Sequence, residues 1–137
     1  MNVAEIIDQI IEKESNLPNA HSIGLMGQLG SGKTYLVKKI LARISPKFEN
    51  QVISPTYNIC CIYEADNFLV HHYDLYRIES EEDLYELDIW NSIDNPNILT
   101  FIEWIDLFPR LIDFIDFTVS IMVVDAAHRE YYFREKL

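Results

Sequence analysis

Gly27-Gln28-Leu29-Gly30-Ser31-Gly32-Lys33-Thr34 matches G-x-x-x-x-G-K-[ST] at every fixed position, and this stretch decides how the rest of the chain is read. Glycines let the backbone wrap closely, so that successive N–H groups aim inward at phosphate oxygens. Lys33 adds a mobile positive charge for β- and γ-phosphates, and the Thr34 hydroxyl is suited to a Mg²⁺ that bridges them. The flanks agree. Ser22 to Met26 is a short apolar segment leading straight into the loop. After it, Leu36, Val37, Ile40, Leu41 and Ile44 keep a 3.6-residue period that stops at Pro46. Strand, loop and helix follow in the order a phosphate site needs, with the helix N-terminus facing the anion. The whole loop, Gly27, Gln28, Leu29, Gly30, Ser31, Gly32, Lys33 and Thr34, is therefore the candidate nucleotide cradle.

Outward from the loop, Val3, Ile6, Ile7, Ile10 and Ile11 recur at helical spacing, and residues 14–20 with Pro18 read as a connector. Strand-like stretches follow at Gln51 to Ile53, Tyr57 to Tyr63 and Phe68 to Leu75. Ser80 with Asp83 three residues on is a capping signal for a helix over 81–87. Ile98 to Trp104 has the composition of a buried strand. Phe117 to Val124 is rich in β-formers, and Arg129 to Phe133 reads as a last edge strand. With no repeat and no low-complexity segment, the pattern predicts an α/β fold. It is a P-loop NTPase-like three-layer sandwich whose central mixed, largely parallel sheet is flanked by helices, with residues 1–137 as a single domain.

Composition narrows the partners. The chain has 137 residues, 49% of them hydrophobic, enough for a proper core. Its formal net charge of −11, from 22 acids against 11 bases, repels a phosphate backbone and argues against independent binding of DNA or RNA. Cys60 and Cys61 are adjacent, lack metal-site spacing and read as strand thiols. The opening MNVAEIIDQI has no basic n-region, and no apolar run is long enough to span a membrane, so the expected location is the cytoplasm. The acids Glu79, Glu81, Glu82, Asp83, Glu86 and Asp88 read first as a solvated face and second as a surface for a basic partner. Tyr73, Tyr76, Tyr85 and Trp90 read as core aromatics, and His72 either orients a neighbouring acid or packs.

A P-loop needs an acid near the metal, usually at the end of a neighbouring buried strand. Glu103 ends the run 97–102 and Asp74 ends the run 68–73, so both are candidates. Thr56, between two strand-like stretches, reads as a turn residue, with a switch-like reach toward the γ-phosphate as the alternative.

Taken together, Gly-Gln-Leu-Gly-Ser-Gly-Lys-Thr (27–34), Ser-Pro-Thr-Tyr (54–57), His-Tyr-Asp-Leu-Tyr-Arg (72–77) and Ile-Glu-Trp (102–104) resemble the bacterial TsaE family over about residues 1–133. The resemblance implies a cytoplasmic P-loop ATPase that assists formation of N6-threonylcarbamoyladenosine at position 37 of tRNA. Its implied partners are a TsaD-like transferase subunit and a TsaB-like subunit, which ATP hydrolysis would reset between turnovers; tRNA is met only through them, and no DNA or membrane is involved. Matched by position, the loop holds the phosphates of ATP, and Thr34 and Glu103 are the implied Mg²⁺ ligands. Asp74, Thr56 and Glu103 are implied catalytic or switch residues, Trp104 lies beside the site, and Arg129 falls where the family has an arginine near the nucleotide. Ser31 stands where alanine is common, Tyr35 where threonine is common, and Tyr57 where phenylalanine is usual.

Other readings of the same loop are a nucleotide-dependent switch without turnover of its own and a small P-loop kinase. The arginines at 43, 77, 110, 129 and 134 form no clustered lid of the kind kinases use, and no Asn-Lys-x-Asp sequence is present to read guanine.

Overall fold

The computed structural model describes residues 1–15, 21–52 and 58–136. Helix α1 (Val3–Ser15) precedes β1 (Ser22–Met26), α2 (Lys33–Ile44), β2 (Cys60–Ala65) and β3 (Phe68–Asp74). Two short helices, α3 (Glu81–Glu86) and α4 (Ile89–Asp94), lead to β4 (Ile98–Glu103). After 3₁₀ turns at Ile105–Leu107 and Pro109–Phe114, β5 (Phe117–Val123) and β6 (Arg129–Glu135) complete the order. The six strands form one sheet in the order β2-β3-β4-β1-β5-β6. The four inner strands run parallel, while β2 and β6 pair antiparallel at the two edges. This is the mixed α/β sheet that the sequence predicts.

Helices cover both faces because the strands alternate. On one face, Leu36, Val37, Ile40 and Leu41 of α2 and Ile6 and Ile10 of α1 pack on Ile23, Leu25, Val70, Leu99, Phe101 and Val119. On the other, Leu84, Ile89, Ile105, Leu111 and Ile115 cluster with Tyr73 and Ile102. The rows of β3 (Val70, His72, Asp74) and β4 (Leu99, Phe101, Glu103) lie side by side under α2. They are in register Val70↔Leu99, His72↔Phe101 and Asp74↔Glu103. The β4 row is apolar up to Glu103, the β3 row passes through buried His72, and both turn acidic at their C-terminal ends. Connections from β1 and β4, neighbours in the sheet, leave to opposite faces, which opens a crevice at their C-terminal ends.

Several expectations need correction. Gln51 and Val52 are not a strand. The Gln51 side-chain amide instead exchanges two hydrogen bonds with the backbone of Glu64 on the outer edge of β2, taking the place a seventh strand would hold. The strand expected over 57–63 begins at Cys60 and runs to Ala65, with residues 53–57 outside the described set. Asp66 and Asn67, both at positive φ, make the two-residue turn into β3. Ser80 caps α3 through the Asp83 N–H as expected. Helix α4 and the 3₁₀ turns were not foreseen; they are short and lack a full helical period. Tyr73 is buried, but Tyr76 and Tyr85 are about half exposed, stacking on Trp104 and Trp90 respectively. Cys60 and Cys61 are half-buried thiols on β2. Among the described residues no helix is long and apolar enough to cross a membrane.

Candidate functional site

The loop between β1 and α2 takes a shape that its glycines permit. Gly30 and Gly32 have φ of 77° and 103°, the left-handed region that favours glycine. A Cβ on Gly27 would meet Ser31 Oγ at 2.5 Å and the Ile121 carbonyl at 3.0 Å. Ser31 is buried beneath the loop and its N–H closes a turn onto the Gln28 carbonyl. Helix α2 starts at Gly32 with no side-chain cap and no acid in its first turn. A helix start left open in this way presents N–H groups and positive dipole to an anion.

Lys33 is buried, and its ammonium lies inside the loop. Nζ donates to the carbonyls of Gly27 (2.7 Å) and Gln28 (3.1 Å) and sits 3.8 Å from the centroid of the Trp104 indole. Burial pushes its pKa down, opposed by the carboxylates of Glu103, Asp106 and Asp74. Trp104 itself has φ 63°, a strained value for so bulky a residue, held by its N–H to the Leu25 carbonyl and by Tyr76 against its ring.

The two candidate acids arrive from adjacent strands, directly opposite in register. Glu103 Oε2 accepts a hydrogen bond from Thr34 Oγ1 at 2.7 Å. Asp74 ends β3 and accepts the Tyr76 N–H at 3.0 Å, so it forms a turn while facing the site. Burial pushes Asp74 above the usual carboxylate range; the Tyr76 N–H opposes this and Glu103 adds to it. Leu29, Gly30, Gly32, Lys33, Thr34, Tyr35, Asp74, Glu103 and Trp104 thus line one open cavity of about 270 Å³.

Two expected residues stand apart. Arg129 lies on the outer side of the loop, where Nε donates to the Ser31 carbonyl (3.2 Å) and a terminal nitrogen to Asp125 O (2.9 Å). It braces the loop from β6. Thr56 lies outside the described residues. A residue that the sequence left undecided proves central: fully buried His72 places Nε2 2.5 Å from Glu103 Oε2, not on Asp74. Its position two residues before Asp74 on one strand face was the available signal.

With this geometry in view, comparison with known proteins is decisive. The sequence model of the family described as threonylcarbamoyl adenosine biosynthesis protein TsaE matches residues 1–131. The chain belongs to the TsaE family. Among similar TsaE proteins, each named a tRNA threonylcarbamoyladenosine biosynthesis protein, that of Rickettsia typhi is 39% identical over 71% of this chain and 65% of its own length. That of Rickettsia prowazekii is 36% identical over 80% of this chain and 74% of its own, and that of Haemophilus influenzae is 32% identical over 75% and 63%. The match spans 60% of the Rickettsia felis TsaE and 49% of the Rickettsia conorii one, so a third or more of several relatives lies beyond it. The crystal structure of Bacillus subtilis YdiB superposes with a TM-score of 0.59 at 17% identity, covering 99% of this chain and 82% of that one, and so shares this TsaE chain's fold.

Proposed function

We propose that this chain binds Mg·ATP in the Gly27–Thr34 cradle and hydrolyses it as an accessory protein in making N6-threonylcarbamoyladenosine in tRNA. Family membership and the names of its relatives support the pathway. One observation supports the chemistry: Lys33, Thr34, Asp74 and Glu103 share a single cavity with the uncapped start of α2.

A magnesium nucleotide fits this donor set. Mg²⁺ takes hard oxygen ligands, commonly one or two from protein with phosphate oxygens and water completing the shell. Thr34 and Glu103 are the residues that would hold it. When bound, the ion would neutralise charge on the β- and γ-phosphates. The loop amides and the α2 dipole bind phosphate oxygens, and the Lys33 ammonium supplies the balancing charge. Asp74, with its affinity for a proton raised by burial, would orient a water and accept its proton. Trp104 closes one wall and shields Lys33 from solvent.

In this reading residues 1–137 act as one P-loop ATPase unit in the cytoplasm, slow alone and stimulated by a TsaD-like transferase subunit and its TsaB-like partner. The net charge of −11 favours meeting tRNA through those subunits rather than directly. The test is steady-state ATP hydrolysis with and without the partner subunits. Stimulated turnover that Lys33→Ala and Glu103→Ala each abolish is expected; turnover unchanged by both variants overturns the assignment. Nucleotide-switched partner binding without single-turnover hydrolysis would replace the ATPase by a binding switch.

A further inference from the structure

Behind the candidate metal acid runs a buried line of hydrogen bonds that the chemistry above leaves unused. Tyr63 Oη lies 3.0 Å from His72 Nδ1, and His72 Nε2 lies 2.5 Å from Glu103 Oε2, the oxygen that also accepts the Thr34 hydroxyl. Tyr63, His72 and Glu103 are each less than 5% exposed. The strands explain the reach. His72 and Asp74 share a face of β3, and Glu103 stands level with Asp74 on parallel β4, so an imidazole at 72 extends one step along the crevice to the carboxylate.

With Glu103 ionised and the His72 ring neutral, donor and acceptor rules set the protons along the line. A carboxylate has no proton to give, so Nε2–H donates to Oε2. In the neutral ring Nδ1 is therefore an acceptor, and the Tyr63 O–H must supply its proton there. The Cys61 thiol, which also neighbours this hydroxyl, is a weaker acceptor than the imidazole nitrogen. At the far end the Thr34 proton is committed to Glu103, which leaves the lone pairs of Oγ1 for a cation.

We infer that His72, fixed in its Nε2–H tautomer by Tyr63, is a positioning residue that holds Glu103 Oε2 against the Thr34 hydroxyl and so keeps that hydroxyl oriented to accept a divalent cation. The inference rests on the magnesium–nucleotide reading of the site. Buried partners of this kind typically change metal affinity about 10- to 100-fold when removed. A histidine that only fills the core would not discriminate between replacements of the same polarity. Glutamine can: its Nε2 stands the same number of bonds from Cβ as the imidazole Nε2, whereas the asparagine amide falls one bond short.

Two measurements on the full chain decide the matter. In nucleotide-free protein, ¹⁵N spectra of the His72 ring are expected to show a protonated Nε2 and a bare Nδ1, with the tautomers mixing in Tyr63→Phe. A proton on Nδ1 of the parent chain, alone or with Nε2, overturns the inference. Calorimetry with a non-hydrolysable ATP analogue, with Mg²⁺ and with EDTA, is expected to give unchanged metal-free affinity in both variants. The magnesium-dependent gain stays within about threefold for His72→Gln and falls about tenfold or more for His72→Asn. Equal losses in both variants, or none in either, overturn it. A parent chain that fails to bind the analogue at all sinks the nucleotide reading, and the ring spectrum still decides the Tyr63–His72 geometry. Should His72→Asn fail to fold, a loss of about tenfold or more in His72→Gln, or a proton on Nδ1 in the ring spectrum, still overturns the inference.

Discussion

Thr34 Oγ1 donates to Glu103 Oε2 over 2.7 Å, joining the first turn of α2 to the end of β4 across 69 residues of sequence. The helix that follows the glycine-rich loop and the strand that ends in the acid are thereby registered against each other. Thr34→Val keeps the shape but deletes the hydroxyl. Glu103 retains its bond from His72, so thermal unfolding should register a loss of only about 1 kcal/mol. Partner-stimulated ATP turnover should fall about 100-fold, and Thr34→Ser should restore most of it.

Lys33 is anchored by two loop carbonyls and by the Trp104 ring, so its charge is already gathered at the cavity. Lys33→Met removes that charge while keeping much of the apolar stem. Isothermal titration should show nucleotide affinity falling about 100-fold, roughly 2.7 kcal/mol. Stability should change little, because burial already disfavours the charged ammonium.

Asp74 makes stability depend on pH in a direction that can be worked out. Burial raises its folded pKa above the ordinary value of 3.8. Between the unfolded and folded pKa values the native state holds more protons than the unfolded state, so this group's contribution to stability falls as pH rises through that window. Above the window the cost of a buried carboxylate is borne in full. Asp74→Asn keeps an acceptor for the Tyr76 N–H, so its Tm should exceed the parent's at pH 7, with the gap closing as pH drops toward 3.8. The same variant should lose about 100-fold or more in hydrolysis, the reverse of its effect on stability.

Gly27→Ala puts a methyl group 2.5 Å from the buried Ser31 hydroxyl and 3.0 Å from a β5 carbonyl, neither of which can easily withdraw. Overpacking of this kind costs about 1–3 kcal/mol, readable by chemical denaturation. Nucleotide affinity should drop with it, since the carbonyl of residue 27 also holds Lys33.

Much of this architecture could be read from the residues alone. The loop, its strand and its helix were legible because a phosphate cradle constrains backbone and side chain within eight consecutive positions. Glu103 was legible because a charge closing an apolar strand needs a reason. The His72–Glu103 contact was not, since it depends on two strands lying parallel in one register, a relation between segments rather than a pattern within one. Gln51 misled for a similar reason: its side chain does the work of a neighbouring strand that its backbone does not form. Helix α4 and the turns around residues 105–114 are held by packing on Tyr73 and Ile102 rather than by local period.

The placement of Trp104 gives the protein a built-in optical gauge. Its indole lies under the Lys33 ammonium at the cavity wall, whereas Trp90 stands on α4 against the rings of Tyr85 and Phe114. A cation above an excited indole alters its emission, so any movement of that lysine toward an arriving anion is written into the fluorescence of one ring. Replacing Trp90 by phenylalanine would leave a single reporter, and stopped-flow mixing could then time each filling and emptying of the cradle without an attached dye.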